Sequence, residues 1–353
     1  MDFECEVRDV TSRERALATY AFQKTDVPCF DLMEGIVWPS LRQGFKQKYD
    51  LSGDEEIQTT LGSDFRWLIF NTEFLPEGSP LDDDIDNSSY TDDLGIRLLQ
   101  NAQSVNEIRD ALGFDPSRVE IPDFKAFRER YPKKALICCP AWMPCFSGAC
   151  HHFGMVTALS LMAERPKLIE AYVKLQCEYA LEVIQRCLKA DAHKYCDFFW
   201  LGDDFSGESS MLLSPHMWRA LFKDALRVQV QEARAAGMLV MFHSCGDVAA
   251  VYEDFIEIGI NAHAGVQTSC MDMSAERLAA TIGGRLVIHG GVDAQTTLVN
   301  ENCDGVVRST RMNIEAFAKC GGYVVSNSHH SLDDIGAEKI VAMSVGAGRW
   351  TRY

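Results

Sequence analysis

The chain is short of positive charge: 34 Lys and Arg stand against 51 Asp and Glu, a formal net charge of −17. Nucleic-acid and anionic-membrane surfaces need clustered Lys and Arg to meet phosphate, so neither partner is expected. No run approaches the roughly 20 apolar residues of a membrane span. The acidic opening Met1-Asp2-Phe3-Glu4-Cys5 has neither the basic nor the apolar part of a signal peptide, which makes a cytoplasmic protein the expectation. The 13 cysteines form an odd, scattered set without a disulfide framework, and read as reduced core thiols and metal ligands. No glycine-rich phosphate loop follows an early strand, which argues against a dinucleotide-binding fold.

What is present is apolar pattern. With 353 residues, 47% of them hydrophobic, the chain can bury one large core, and a single domain over residues 1–353 accounts for its length. Thr11-Ser12-Arg13-Glu14 reads as a capping box that starts a helix. The stretch from Leu81 to Asp93, LDDDIDNSSYTDD, reads as an acidic surface loop. Short Val-, Ile-, Leu- and Phe-rich runs at Asp26–Leu32, Phe65–Phe70, Ala135–Cys139, Tyr195–Leu201, Met238–Phe242, Ile260–Val266, Arg285–His289 and Tyr323–Ser326 predict eight strands. Helical patterns at Lys167–Lys189, Pro215–Ala236, Ala249–Ile258, Met273–Ile282, Asp304–Lys319 and Asp333–Ala347 alternate with the later ones. That rhythm predicts an α/β fold, a single (β/α)8 TIM barrel whose first ~60 residues supply a helical extension and the first strand. Polar residues gather just after the strands, where the C-terminal rim of a barrel carries its active site.

The sharpest local signal is MLVMFHSCGD, Met238 to Asp247. With a period of two, Leu239, Met241, His243 and Cys245 share one face, so an imidazole and a thiol project together toward the barrel axis. Zinc favours such N/S donors, and Gly246 lets the chain turn after Cys245. A third donor should come from another strand end. His329, in Asn327-Ser328-His329-His330, is the expected one, inward if Tyr323 and Val325 also face inward, with His330 left on the rim as an acid–base candidate. Asp203 and Asp204 after one strand can orient a ligand histidine, bind substrate or act as general acid, or simply cap a helix. Gln267 and Asp293, at further strand ends, are candidate substrate-binding residues. Around Cys138-Cys139-Pro140-Ala141-Trp142-Met143-Pro144-Cys145 and Cys150-His151-His152 the spacing fits no zinc ribbon, and the expectation is a lid in which Trp142 covers the substrate. Asp191-Ala192-His193 begins like a corrinoid-binding motif, but Cys196 stands where its glycine belongs, which disfavours a corrinoid bound within this chain.

Taken in order, Thr11-Ser12-Arg13-Glu14-Arg15-Ala16-Leu17, His243-Ser244-Cys245-Gly246-Asp247, the segment from His289 to Leu298 (HGGVDAQTTL) and Gly321-Gly322-Tyr323 through Ser328-His329 resemble the uroporphyrinogen-decarboxylase-like superfamily over nearly the whole chain. The resemblance implies a (β/α)8 barrel, often dimeric, with its active site at the C-terminal mouth. True decarboxylases of that family carry Arg-Gln-Ala-Gly-Arg near the first strand; here the region reads Asp31-Leu-Met-Glu-Gly-Ile-Val-Trp38, with Glu34 and no arginine. The corrinoid-dependent methyltransferase branch instead binds zinc through His-x-Cys and a later Cys, which His243 and Cys245 match and His329 replaces. Aligning that Cys with His330 needs a one-residue shift. The two-glutamate, one-histidine zinc motif of some ether-demethylating relatives is not found. The resemblance therefore implies Zn2+ in this chain and a methylcorrinoid supplied by a partner corrinoid protein, with a methyl ether, methylamine or thiol as the small-molecule substrate. A metal-free decarboxylase and a non-catalytic corrinoid-partner binding protein are the rival expectations.

Overall fold

The computed structural model describes residues 10–36, 38–72, 99, 102–112, 114–331 and 333–352. The expected acidic loop at Leu81–Asp93 lies outside the described residues. Eight strands form one sheet: β1 (Cys29–Phe30), β2 (Phe65–Phe70), β3 (Ala135–Pro140), β4 (Phe198–Gly202), β5 (Leu239–His243), β6 (Ala262–Val266), β7 (Val287–Val292) and β8 (Tyr323–Asn327). All pair in parallel, in the order β1-β8-β7-β6-β5-β4-β3-β2. The two end strands meet at Asp64. Its N–H donates to the Phe30 carbonyl at 2.8 Å, and its Oδ2 accepts from the Phe30 N–H at 3.0 Å, closing the curl. The architecture is the (β/α)8 barrel that the alternating pattern predicts, each expected strand overlapping an observed one.

Both faces of these strands are apolar because both are covered. Phe65, Ile137, Phe198, Met241, Val287 and Val324 fill the inside, while Phe199, Leu201, Val240 and Phe242 pack outward against the helices. A fully buried side chain such as Phe198 contributes about 1.5–3 kcal/mol relative to exposure. The helix Ser12–Tyr20 starts at the expected capping box, the Glu14 N–H donating to Thr11 Oγ1 at 3.2 Å and the Thr11 N–H to Glu14 Oε2 at 2.9 Å. Its Ala16 and Tyr20 join the inner cluster, and the Tyr20 ring lies 4.6 Å from that of Phe198 at the start of β4. This helix plugs the N-terminal end of the barrel. One expectation is corrected here. In β8 it is Val324 that enters the inner cluster, while Tyr323 and Val325 pack outward.

A polar cluster sits among the apolar residues inside the barrel. Asp31 Oδ2 lies 3.0 Å from His289 Nε2 with both side chains fully buried; Trp67 Nε1 donates to the same oxygen at 2.9 Å, and the Tyr20 hydroxyl is 3.3 Å from His289 Nδ1. Breaking such a pair from one side leaves an uncompensated buried group. No helix among the described residues is long and apolar enough to cross a membrane.

Candidate metal centre at the barrel mouth

Register builds the site. Gly202 of β4 pairs with His243 of β5, and the Asp203 N–H donates to the His243 carbonyl at 3.0 Å, so the residues just after the two strands run side by side. Asp204 Oδ1 thereby accepts from the Cys245 N–H at 2.7 Å and stands 3.4 Å from His243 Nε2. Cys245 Sγ is 3.4 Å from the same nitrogen. Asp204, His243 and Cys245 are the residues whose donor atoms, all within 4.8 Å of one another, can hold a metal ion among the described residues.

The histidine is fixed in place from behind. Its Nδ1–H donates to the Ala264 carbonyl at 3.0 Å, which leaves the Nε2 lone pair facing the thiol and the carboxylate. That carbonyl is offered where β6 shifts register between Ala264 and Val266, and at Gly265 a Cβ would lie 2.5 Å from His243 Nδ1. Gly246, at φ +80°, makes the turn after Cys245 while the Ser206–Gly207 backbone approaches within the space of a Cβ. Behind the pair, His263 Nε2–H donates to the Ser244 carbonyl at 2.9 Å and its Nδ1 accepts from the Tyr252 hydroxyl at 2.9 Å. Burial and then the Asp204 charge push the Cys245 thiol well above its ordinary value.

The other expected residues are placed as follows. Asp203 caps a helix: its carboxylate accepts from the backbone N–H groups of Cys145, Phe146 and Ser147 and from the Ser147 hydroxyl, at 2.8–3.1 Å, at the start of the helix Phe146–Phe153. Burial pushes it up to about 6, against the pull of those hydrogen bonds. Gln267 Oε1 accepts from the Gly246 N–H at 2.6 Å, and Asp293 accepts from the Gln295 and Thr296 N–H groups and the Ser269 hydroxyl, so both hold loop backbone. Trp142 stands beside the donor group: its ring centroid lies 5.9 Å from that of Trp200 and 6.0 Å from that of His243, and Trp200 stacks on His243 at 6.0 Å. His329 reaches the mouth with its ring 6.3 Å from His243 but outside the three-donor group, and burial and then His330 hold it down at about 4. His330 Nδ1 is 3.5 Å from Glu34 Oε2.

Glu34 and His263 are the residues that strand-end reasoning missed. Glu34 registered only as a missing arginine. His263 lies mid-strand, and nothing local in Asn261-Ala262-His263-Ala264 marks its bond to Ser244.

The fold and these strand ends define a (β/α)8 barrel with a candidate metal centre at its C-terminal mouth. The family model for uroporphyrinogen decarboxylase (URO-D) matches residues 143–346, more than half of the chain, and the chain belongs to that family. Among solved structures, a methyltransferase from Methanosarcina mazei aligns with TM-score 0.63 at 15% identity over 96% of this chain and 99% of that one, a likeness of fold. Rutinosidase from Aspergillus niger aligns at TM-score 0.42 and 10% identity, covering 90% of this chain and 97% of that one. D-psicose 3-epimerase from Clostridium cellulolyticum H10 aligns at 0.39 and 12%, covering 83% and 89%. No curated protein sequence matches the chain.

Proposed function

We propose that the chain is a zinc-dependent methyltransferase that moves a methyl group between a small methyl ether, methylamine or thiol and the corrinoid of a separate protein. The observation that carries this reading is the spacing of the three donors. Zinc bonds of about 2.0 Å to N or O and 2.3 Å to S, at tetrahedral angles, separate N from S by about 3.5 Å and N from O by about 3.3 Å. The His243–Cys245 and His243–Asp204 separations are both 3.4 Å. Three protein donors leave a fourth position for substrate.

A bound zinc would supply Lewis-acid polarisation of the substrate heteroatom. The chain's own residues do the rest. Ala264 fixes the tautomer of His243, Asp204 holds the Cys245 backbone, and Trp142 and Trp200 keep water from the open side. A thiol raised as Cys245 is makes a poor free nucleophile and a good ligand once a cation compensates its charge. The likeness in fold to a methyltransferase is consistent with this reading. The incomplete motif at Asp191-Ala192-His193 supports a corrinoid carried by a partner protein rather than by this chain.

Metal content of protein purified without chelator or affinity-tag metal, beside Cys245→Ser, tests the proposal. About one zinc per chain, lost in the variant, is expected. No metal in either protein would overturn it in favour of acid–base decarboxylation.

A further inference from the structure

Seven of the eight loops leaving the C-terminal strand ends, residues 31–38, 141–145, 203–214, 244–248, 267–274, 293–296 and 328–336, contain no Lys or Arg and ten carboxylates. At the plugged end the pattern reverses: Arg13, Arg15, Arg128 and Arg349 converge on Asp64 and Asp197. Charge is therefore sorted along the barrel axis, and the mouth favours cations.

Four of these mouth carboxylates accept hydrogen bonds from backbone N–H groups, and the fully buried Asp31 is held by His289 and Trp67. Asp203 caps a helix, Asp204 holds Cys245, Asp247 accepts from the Ala249 and Asp272 N–H groups, and Asp293 accepts from Gln295 and Thr296. Glu34 differs. Its ion-pair contact among the described residues is His330 Nδ1 at 3.5 Å. Its backbone sits at φ +58°, a left-handed conformation that costs a non-glycine residue energy and is held here by the Gly35 N–H to Leu32 carbonyl bond at 2.8 Å. The neighbouring β8 end is tied in by the Met33 N–H donating to Asn327 Oδ1 at 3.0 Å. The His330 ring in turn lies 4.0 Å from that of His329, whose ring is 6.3 Å from that of His243, so Glu34 borders the barrel mouth.

A second observation points to a ligand. The indole Nε1 of Trp200, a residue only 4% exposed, stands on the inner face of the barrel against His243 and has no hydrogen-bond partner among the described residues. A buried donor without an acceptor is costly and is expected to find one. The indole faces of Trp142 and Trp200 beside it are surfaces on which an ammonium group is stabilised.

We propose that the mouth selects a small substrate carrying an ammonium group, Glu34 and the two indole faces taking the cation and the Trp200 N–H an acceptor atom of the same molecule. The substrate class is then an ammonium-bearing methyl ether or thiol rather than an anionic one. Only the role of the ether or thiol rests on the methyl-transfer reading; the charge preference depends on Glu34 and the indoles.

Tryptophan-fluorescence titration with three methoxy compounds of similar size, 2-methoxyethylammonium, 2-methoxyethanol and methoxyacetate, tests this in zinc-loaded and metal-free protein. The cation should bind at least about tenfold tighter than the neutral compound, and the anion weakest. Glu34→Gln should bring the cation level with the neutral compound, and Glu34→Asp should keep the preference. A wild-type protein without cation preference overturns the proposal, as does an E34Q variant that retains it. Affinities that ignore zinc would count against the metal reading alone, because the charge order is read in both forms.

Discussion

His263 donates from Nε2 to the carbonyl of Ser244 at 2.9 Å, and Ser244 is the residue between His243 and Cys245. Supporting groups behind metal ligands set affinity by holding ligands in register. His263→Ala should weaken zinc binding by about tenfold or more, while His263→Gln, which keeps an N–H donor, should recover most of it. Competition with a chelating dye reads both. Wild-type affinity in the alanine variant would remove this role.

The same histidine sets an acid response. Burial holds it down at about 3, so in the fold it stays neutral, whereas in the unfolded chain it takes up a proton below about 6.5. Its contribution to stability is present above pH 6.5 and is lost as pH falls toward 3, by up to about 1.4 kcal/mol per pH unit. Urea midpoints between pH 7 and 4 should fall less steeply in His263→Gln than in wild type.

The identity of the third donor separates two variants. Asp204→Ala should lose zinc, whereas His329→Ala should retain it, because Asp204 lies within the 4.8 Å donor group and His329 does not. Metal analysis after dialysis decides. Zinc lost in H329A and kept in D204A would reverse the assignment.

Asp203 is expected to matter for folding rather than for metal. Asp203→Ala strips the acceptor from three buried backbone N–H groups at residues 145–147, at a cost of about 1–3 kcal/mol. A lower unfolding midpoint with unchanged zinc content is expected; an unaltered midpoint would contradict the capping role.

Gly202 makes room for the two indoles. A Cβ there would meet Trp142 Cζ3 at 2.6 Å and Trp200 Cη2 at 2.9 Å. Gly202→Ala should push at least one ring off His243, red-shift the tryptophan emission as water enters, and weaken ligand binding while the barrel stays folded. Unchanged emission would mean that the rings yield without opening the mouth.

The strands were legible because a barrel strand buried on both faces is a short, dense apolar run; the six from β3 on stand out most clearly, whereas β1, two residues within DVPCFDL, does so least. The same density erased the phase of β8: Tyr323, Val324 and Val325 are all apolar, so nothing in their order marks Val324 as the inward one. Phase was readable in β5, where one face ends in His243 and Cys245. The helical pattern at Pro215–Ala236 is two helices, Pro215–Leu221 and Lys223–Ala235, broken at Phe222, whose apolar side chain continues the pattern through the break. Asp203 and Asp204 were marked together because both follow a strand; only the distant backbone at residues 145–147 and the register beside Cys245 separate the cap from the ligand candidate. Glu34 was hidden because its importance lies in a backbone conformation and in carboxylates elsewhere being occupied.

Asp64 closes the curl between β1 and β2 and also accepts from Arg15 at 2.6 Å and Arg349 at 2.9 Å, residues from opposite ends of the described chain. One carboxylate thus acts as the clasp of the hoop, and loosening either terminal segment loosens the same clasp. The N- and C-terminal segments should therefore unfold as one cooperative unit with β1, exchanging their amide hydrogens together rather than fraying independently.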